Sequence, residues 1–106
     1  MDPILVYCTV PNETVAETIA KAVVGKKMAA CVNIVSQIRS IYTWKDKIED
    51  EKELLLIMKS KKELFEDIVC CIKELHPYEV PEVIAMPIIE GNAEYLNWID
   101  SNTEKK

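Results

Sequence analysis

One stretch decides the fold of this 106-residue chain: residues 31–44 read CVNIVSQIRSIYTW, residues 45–47 read KDK and residues 48–59 read IEDEKELLLIMK. Both long segments are rich in the β-branched and apolar residues typical of strands, and residues 45–47 are the only turn signal between them. The stretch therefore predicts a long β-hairpin. Five apolar residues of its first strand share one parity: Val32, Ile34, Ile38, Tyr42 and Trp44. Because side chains alternate along a strand, we expect all five to face the same side of the sheet.

The length of this hairpin predicts that it extends beyond its own core. Fourteen residues at roughly 3.3 Å each span on the order of 45 Å, whereas a compact domain of this size is roughly 35 Å across. The projecting end carries Ile41, Tyr42, Trp44 and Ile48. Apolar surface on a projecting ribbon is usually covered by another chain, so the hairpin predicts a homo-oligomer.

A strand and a helix precede the hairpin. Residues 4–10 are almost continuously apolar and end at Pro11, a pattern typical of a central strand that is covered on both faces. Asn12 is a favourable N-cap for the helix that follows, and Gly25 indicates where that helix ends.

A second helix, a fourth strand and a short C-terminal helix follow the hairpin. Ser60 is predicted to cap the second helix, and Pro77 ends it. Residues 83–89 have strand character, but Pro87 removes one backbone donor and restricts this strand to an edge or a bulge. The last helix is predicted to bury three residues: Tyr95, Trp98 and Ile99.

The predicted order of elements is βαββαβ followed by a helix. A chain of this length has room for one core, so residues 1–106 are expected to form a single domain. The leading topology is an α+β, ferredoxin-like sandwich with both crossover helices on one face of an antiparallel sheet.

The charge of the chain excludes several classes of partner. Its net charge is -5 and its pI is about 4.9, so its field repels phosphate groups, and we expect no nucleic acid and no anionic membrane as partners. No apolar run approaches the roughly 20 residues of a membrane helix, and no secretion signal is recognisable. We therefore expect a cytoplasmic protein without membrane insertion. Its four cysteines, Cys8, Cys31, Cys70 and Cys71, are expected to be free thiols.

Candidate metal ligands converge at one end of the predicted sheet. Cys8 lies near the end of the first strand, and His76 ends the second helix. Glu79 and Glu82 lie in the loop that follows, which two prolines stiffen. Thiolate, imidazole and carboxylate groups all bind metal ions, so Cys8, His76 and Glu82 predict a divalent-metal site. A soft thiolate beside an imidazole favours copper.

Two structural interpretations of these residues stay open. Cys8 can be a small buried packing residue, and His76 can bond the last carbonyls of its helix. His76 is the only histidine, so a metal would need unlike ligands or ligands from neighbouring subunits.

The chain offers little for catalysis. No nucleophile is arranged with a base and an orienting acid, so we expect a protein that is not an enzyme. A hydrolase that uses His76 with Glu79 or Glu82 as acid and base is the least favoured hypothesis, behind metal binding and the small-molecule binding described at the end of this section. The acidic residues of the hairpin alternate with lysines, which predicts a solvated ribbon. They are Asp46, Glu49, Asp50, Glu51 and Glu53.

Four motifs occur in a fixed order along the chain. Residues 29–34 read AACVNI, residues 40–44 read SIYTW, residues 76–82 read HPYEVPE and residues 91–99 read GNAEYLNWI. With these motifs the chain resembles, from about Ile4 to Ile99, the CutA family of divalent-cation tolerance proteins.

The resemblance implies a ferredoxin-like subunit in a stable homotrimer and a role in tolerance of copper and other divalent ions. It also implies copper binding at Cys8 and His76 with Glu82 nearby, although this chain has Leu75 where some members carry a second histidine. Asp46 stands where the family usually has a glycine, and aspartate tolerates the left-handed conformation that such a turn requires.

A second hypothesis follows from the similarity of this family to the PII signalling trimers. The protein would then be a sensor that binds a small molecule in clefts between subunits. The residues expected to line these clefts are Tyr42, Trp44, Lys59, Tyr78 and Glu82.

Overall fold

The computed structural model describes all 106 residues, which form four strands and three helices. The elements are β1 Pro3–Val10, α1 Glu13–Gly25, β2 Cys31–Trp44, β3 Lys47–Lys61, α2 Phe65–Leu75, β4 Ile84–Pro87 and α3 Ala93–Ser101, with a 3-10 turn at Lys62–Leu64. The strands form one antiparallel sheet in the order β2-β3-β1-β4. This order, with α1 and α2 packed on one face, confirms the predicted ferredoxin-like α+β fold.

The core lies between one face of the sheet and helices α1 and α2. Every second residue of β1 is buried, and the same alternation runs along β3 from Leu54 to Ser60. Fully buried side chains from the four elements meet there, among them Val6, Ile19, Leu56 and Ile72. This alternation is what a sheet with one covered face requires.

The other face of the sheet, called the open face below, carries the alternate residues of β1 and β3. Leu5 and Tyr7 of β1 and Leu55 and Ile57 of β3 are only partly buried. The prediction that the first strand is covered on both faces is therefore wrong for the single chain, because α1 and α2 both lie against the opposite face. The open face is therefore a largely apolar surface that is partly exposed in the single chain.

The predicted hairpin is present and projects from the core. Its strands pair from Cys31 opposite Lys59 to Trp44 opposite Lys47, and the molecule is 44 Å long against 26 and 21 Å in the other directions. Asp46 takes a φ of 65° in the turn, the left-handed conformation expected of it.

A β-bulge in β2 contradicts the prediction that its apolar residues share one face. Val35 pairs with Leu55, but Ile38 pairs with Glu53, so β2 carries one extra residue, and Gln37 has a φ of 60°. Such an insertion shifts the alternation by one residue.

The two sides of the bulge therefore face different environments. Val32 and Ile34 lie opposite Met58 and Leu56, on the helical side of the sheet, although Ile34 on this edge strand is still 36% exposed. Beyond the bulge, Ile38, Tyr42 and Trp44 have moved to the side of Glu53, the open face. This shift turns the aromatic residues of the hairpin away from the core.

The three helices are short, and none, not even the 13-residue α1, could cross a membrane. Asn12 caps α1 as predicted, since its Oδ1 accepts a hydrogen bond from the Val15 N–H at 2.9 Å. The prediction that Ser60 caps the second helix is wrong. Ser60 is a buried residue of β3 whose hydroxyl donates to the Met28 carbonyl at 2.5 Å, so α2 starts only at Phe65.

The C-terminal part of the chain differs from the prediction in extent and burial. β4 is an edge strand as expected but covers only Ile84–Pro87. In α3 only Ile99 is fully buried, whereas Tyr95 and Trp98 are 39% and 42% exposed. Their rings stack on each other with centroids 5.4 Å apart, so these two aromatic residues pack mutually on the surface.

Candidate functional site

His76 connects the end of α2 to the centre of the sheet. Pro77 disfavours helical geometry at the preceding residue, so His76 is extended and only 7% exposed. Its Nε2 donates to the carbonyl oxygen of Thr9 in β1 at 2.8 Å, and its Nδ1 accepts a hydrogen bond from the backbone N–H of Tyr78 at 3.1 Å. Because a carbonyl only accepts and an amide N–H only donates, these bonds define a neutral imidazole with its proton on Nε2.

Cys8 contacts the same carbonyl group from the core. It is fully buried, and its Sγ donates a weak hydrogen bond to the Thr9 oxygen at 3.7 Å. Burial, and then the charges of Glu82 and Glu53, raise the pKa of this thiol to about 12. Cys8 is therefore a protonated thiol at neutral pH.

Two carboxylates of the loop 77–82 lie at the same end of the sheet as Cys8 and His76. Glu79 and Glu82 are both exposed, and Glu82 is close enough for its charge to raise the pKa of Cys8. Within one chain no three histidine, cysteine, aspartate or glutamate side chains are placed to hold one metal ion. Cys8, His76 and Glu82 thus come to one end of the sheet without forming a complete ligand set.

A cleft of about 730 Å³ opens between the hairpin and residues 77–82. Three aromatic side chains line it: Tyr42, Trp44 and Tyr78. Four carboxylates line it as well: Glu49, Glu53, Glu79 and Glu82. These seven residues define what is called the acidic cleft below. Its volume is within the usual range for sites that bind small molecules.

Glu53 contradicts the prediction that the acidic residues of the hairpin form a solvated ribbon. It is only 4% exposed, and its Oε2 accepts a hydrogen bond of 2.6 Å from the hydroxyl group of Tyr78. Glu49 also lines the cleft. The ribbon prediction holds for Asp50, which is exposed and paired with Arg39 through a contact of 2.6 Å.

The charges around the cleft act on its aromatic residues. The pKa of Tyr78 is raised by burial and by its hydrogen bond to Glu53, and the pKa of Tyr42 is raised by partial burial and by the nearby carboxylates. Both phenols therefore stay protonated, and Tyr78 remains a donor to Glu53.

Lys59 does not line the acidic cleft, although it belongs to the residues predicted for a binding cleft. It lies on β3 opposite Cys31, and its ammonium group is hydrogen-bonded to the side-chain oxygen of Asn33. Tyr42, Trp44, Tyr78 and Glu82 do line the cleft. A place for Lys59 in a cleft between subunits stays a prediction.

Sequence reasoning missed three residues of this region. The Thr9 carbonyl joins Cys8 to His76, Glu53 anchors Tyr78, and Lys45 reaches the rim of the cleft. Glu53 had one weak signal, since it directly precedes the apolar run 54–58 at the point where the strand enters the core. The Thr9 contact depends on how the end of α2 packs against β1, and the Lys45 contact depends on how the loop 77–82 folds back towards the hairpin. No local pattern encodes either.

Comparison with known proteins finds similar sequences and structures that all bear the name CutA or CutA1. The family described as CutA1 divalent ion tolerance protein matches residues 4–102. A divalent-cation tolerance protein CutA of Thermus thermophilus is 50% identical over 99 residues, which cover 93% of this chain and 96% of that protein. A Protein CutA of Mus musculus is 49% identical, and the match covers 92% of this chain but 55% of the mouse protein. The crystal structure of CutA1 from Oryza sativa superposes with a TM-score of 0.96 at 42% identity, covering 100% of this chain and 97% of that one.

Proposed function

Because the chain belongs to the CutA1 divalent ion tolerance protein family, we propose that it acts as a homotrimer that binds divalent cations, with copper preferred. The proposed site is the end of the sheet where Cys8, His76 and Glu82 meet. One observation carries the proposal: Cys8 Sγ and His76 Nε2 both contact the Thr9 carbonyl oxygen, so a thiol and an imidazole share one small region. Thiolate and imidazole together favour copper among the divalent ions.

Metal binding at this site requires two local changes. The Cys8 thiol has to lose its proton before it can coordinate, and its pKa of about 12 opposes that loss. His76 has to release either the Tyr78 N–H or the Thr9 carbonyl, since both ring nitrogens are in hydrogen bonds. Because no complete ligand set exists in one chain, neighbouring subunits would supply the missing ligands.

The copper proposal predicts a specific loss in one cysteine variant. Cys8→Ser should lower copper affinity at least tenfold in the reduced, metal-free protein, whereas Cys70→Ser, at an exposed cysteine of α2, should leave it unchanged. Affinity of the parent protein should rise by up to tenfold per pH unit between pH 6 and 9, because the thiol pKa lies above this range. Isothermal titration with copper, and with zinc for comparison, measures both effects.

Two results would contradict the copper proposal. One is a copper isotherm that is the same in the parent, Cys8→Ser and Cys70→Ser proteins. The other is zinc binding at least as tight as copper binding. Circular dichroism and light scattering on each variant establish that fold and assembly are unchanged.

The acidic cleft supports a second candidate function, the binding of a small molecule in the manner of the PII trimers. The specific observation is a cleft of about 730 Å³ that holds Tyr42, Trp44, Tyr78 and Glu82 together. A ligand that binds there should raise the melting temperature, because it binds the folded state alone. We propose no catalytic reaction, since both nitrogens of His76 are engaged in hydrogen bonds and the family is named for ion tolerance.

A cytoplasmic location remains part of the proposal. A relative from Oryza sativa bears the name Protein CutA 1, chloroplastic, so membership of the family does not by itself determine the compartment of this chain. Fractionation of the native host with an antibody against this chain would determine its compartment.

A further inference from the structure

The acidic cleft is lined by carboxylates without any basic side chain among its lining residues. Glu49, Glu53, Glu79 and Glu82 face it together with the aromatic rings of Tyr42, Trp44 and Tyr78. Carboxylates attract cations, and the faces of aromatic rings do the same through their quadrupoles. The lining that one chain contributes therefore favours a positively charged ligand over an anion.

Glu53 supplies an acceptor that the chain itself does not satisfy. The residue is 4% exposed, and its Oε2 is bonded to the Tyr78 hydroxyl, but its Oε1 has no hydrogen-bond donor within the chain. It is not sealed off, because no fully buried side-chain oxygen lacks a partner. A charged acceptor held at the floor of a cleft favours a ligand that brings an N–H donor.

Lys45 shows which kind of cation fits the rim of the cleft. Its ammonium nitrogen lies 3.6 Å from Glu79 Oε2 and 5.6 Å from the centre of the Trp44 ring. A primary ammonium on an alkyl chain is thus held between a carboxylate and an aromatic face at the entrance. Three further carboxylates, Glu49, Glu53 and Glu82, stay without a basic partner in the cleft.

Within one chain the carboxylates of the cleft do not form a ligand set for a metal ion. A metal ion needs several ligands within about 2.0–2.6 Å of one point. No three acidic, histidine or cysteine side chains of the chain are placed in that way. A cleft lined by four carboxylates suits a cation that carries more than one positive charge.

From this arrangement we propose that the acidic cleft binds an aliphatic diamine or polyamine. One ammonium group would bond Glu53 at the floor, the alkyl chain would lie along the aromatic rings, and a second ammonium group would take the place of the Lys45 side chain at Glu79 and Trp44. This inference rests on the second candidate function, the binding of a small molecule, and it names the class of that molecule.

The test is titration of the full chain with spermidine at about 150 mM salt, where attraction to the acidic surface as a whole is largely screened. Spermidine should bind saturably. Glu53→Gln and Trp44→Ala should each weaken binding at least tenfold, because they remove the floor charge and the aromatic face. Lys45→Met should tighten binding severalfold, since the competing ammonium group is gone.

Glu66→Gln is the matched control, because it removes the same charge from an exposed position on α2 outside the cleft. The proposal is overturned if spermidine does not bind, or if Glu53→Gln and Glu66→Gln weaken binding equally, which would indicate attraction to net charge. Circular dichroism establishes that each variant is folded.

Parallel titrations distinguish this inference from the candidate function on which it rests. Citrate serves as an anionic probe and 1,4-butanediol as a neutral one. If either binds and loses affinity in Trp44→Ala while spermidine does not bind, the cleft is a small-molecule site and the amine proposal is wrong.

Discussion

Replacing His76 with alanine should lower the free energy of unfolding by about 3 kcal/mol, one of the largest losses available from a polar residue of this chain. The substitution removes a residue that is 7% exposed, leaves the Tyr78 N–H without its partner, and leaves the Thr9 carbonyl with only the weak side-chain donor Cys8. An unsatisfied buried polar group costs about 1–3 kcal/mol, and the cavity left by the ring adds to this cost. Urea unfolding at a fixed protein concentration measures the change.

His76→Gln is the informative comparison for this variant. Its amide nitrogen can still donate to the Thr9 oxygen, so we expect about half of the loss seen with alanine. Lys73→Ala, at an exposed position of the same helix, should change stability by less than about 0.5 kcal/mol. A His76→Ala protein as stable as the Lys73→Ala protein would contradict the structural role assigned to the imidazole.

This structural role changes how a copper experiment on His76 is interpreted. His76 fixes the start of the loop 77–82, and that loop carries Tyr78 and Glu82. Copper binding lost in His76→Ala could therefore reflect a displaced loop as well as a lost ligand. Cys8→Ser isolates the ligand more cleanly, because serine keeps the size of the side chain and its donor to Thr9.

The fold was predictable where the physical signal is local. Pro77 determines the end of α2, Asn12 the start of α1 and Asp46 the turn of the hairpin, because each residue restricts or caps its own backbone. The bulge was not predictable in this way. Gln37 takes a φ of 60° that glutamine does not favour, and no turn residue in the sequence indicates it.

The start of α2 shows the same limit. Ser60 looks like an N-cap, but its buried hydroxyl is better satisfied by the Met28 carbonyl at 2.5 Å, and the strand continues through it. Local capping preference is worth about 1 kcal/mol, which the pairing of Ser60 with Ile4 in the sheet and its hydrogen bond to Met28 together outweigh.

The topology was sufficient to predict where the candidate site lies, but not which atoms contact each other there. Strand and helix directions alone bring Cys8 and His76 to the same end of the sheet. That both meet one carbonyl, Thr9 O, follows only from the packed structure. Glu53 is the clearest example of what a charge pattern hides, since it lies among solvated acidic residues and yet is 4% exposed beneath Tyr78.

The open face provides the surface on which the proposed trimer can be tested. Ile57 lies at its centre, opposite Tyr7 on β1 and Asn33 on β2, and Tyr7 in turn lies opposite Ile84 of β4. Ile84 is 52% exposed, and Ile57 and Tyr7 are only partly buried in the single chain. A row of apolar side chains across an uncovered sheet is stabilised when other subunits cover it.

Ile57→Glu should therefore convert the proposed trimer into monomers. In an assembled trimer the carboxylate would be buried without a partner, at a cost of several kcal/mol for each subunit, whereas in a monomer it would be solvated. Light scattering coupled to gel filtration should give three times the 12.1 kDa chain mass for the parent protein and about one chain mass for the variant.

Val24→Glu is the matched control, because it places the same charge at an apolar residue of α1 that is 41% exposed on the helical side. It should keep the mass of the parent, since the helices lie on the face opposite to the open face. If Ile57→Glu also keeps the parent mass, the open face is not the surface of assembly, and the hairpin alone would have to hold the subunits together. If the parent protein itself has the mass of one chain at micromolar concentration, the trimer is wrong, and the half-buried row Ile84, Tyr7 and Ile57 needs a different partner to cover it.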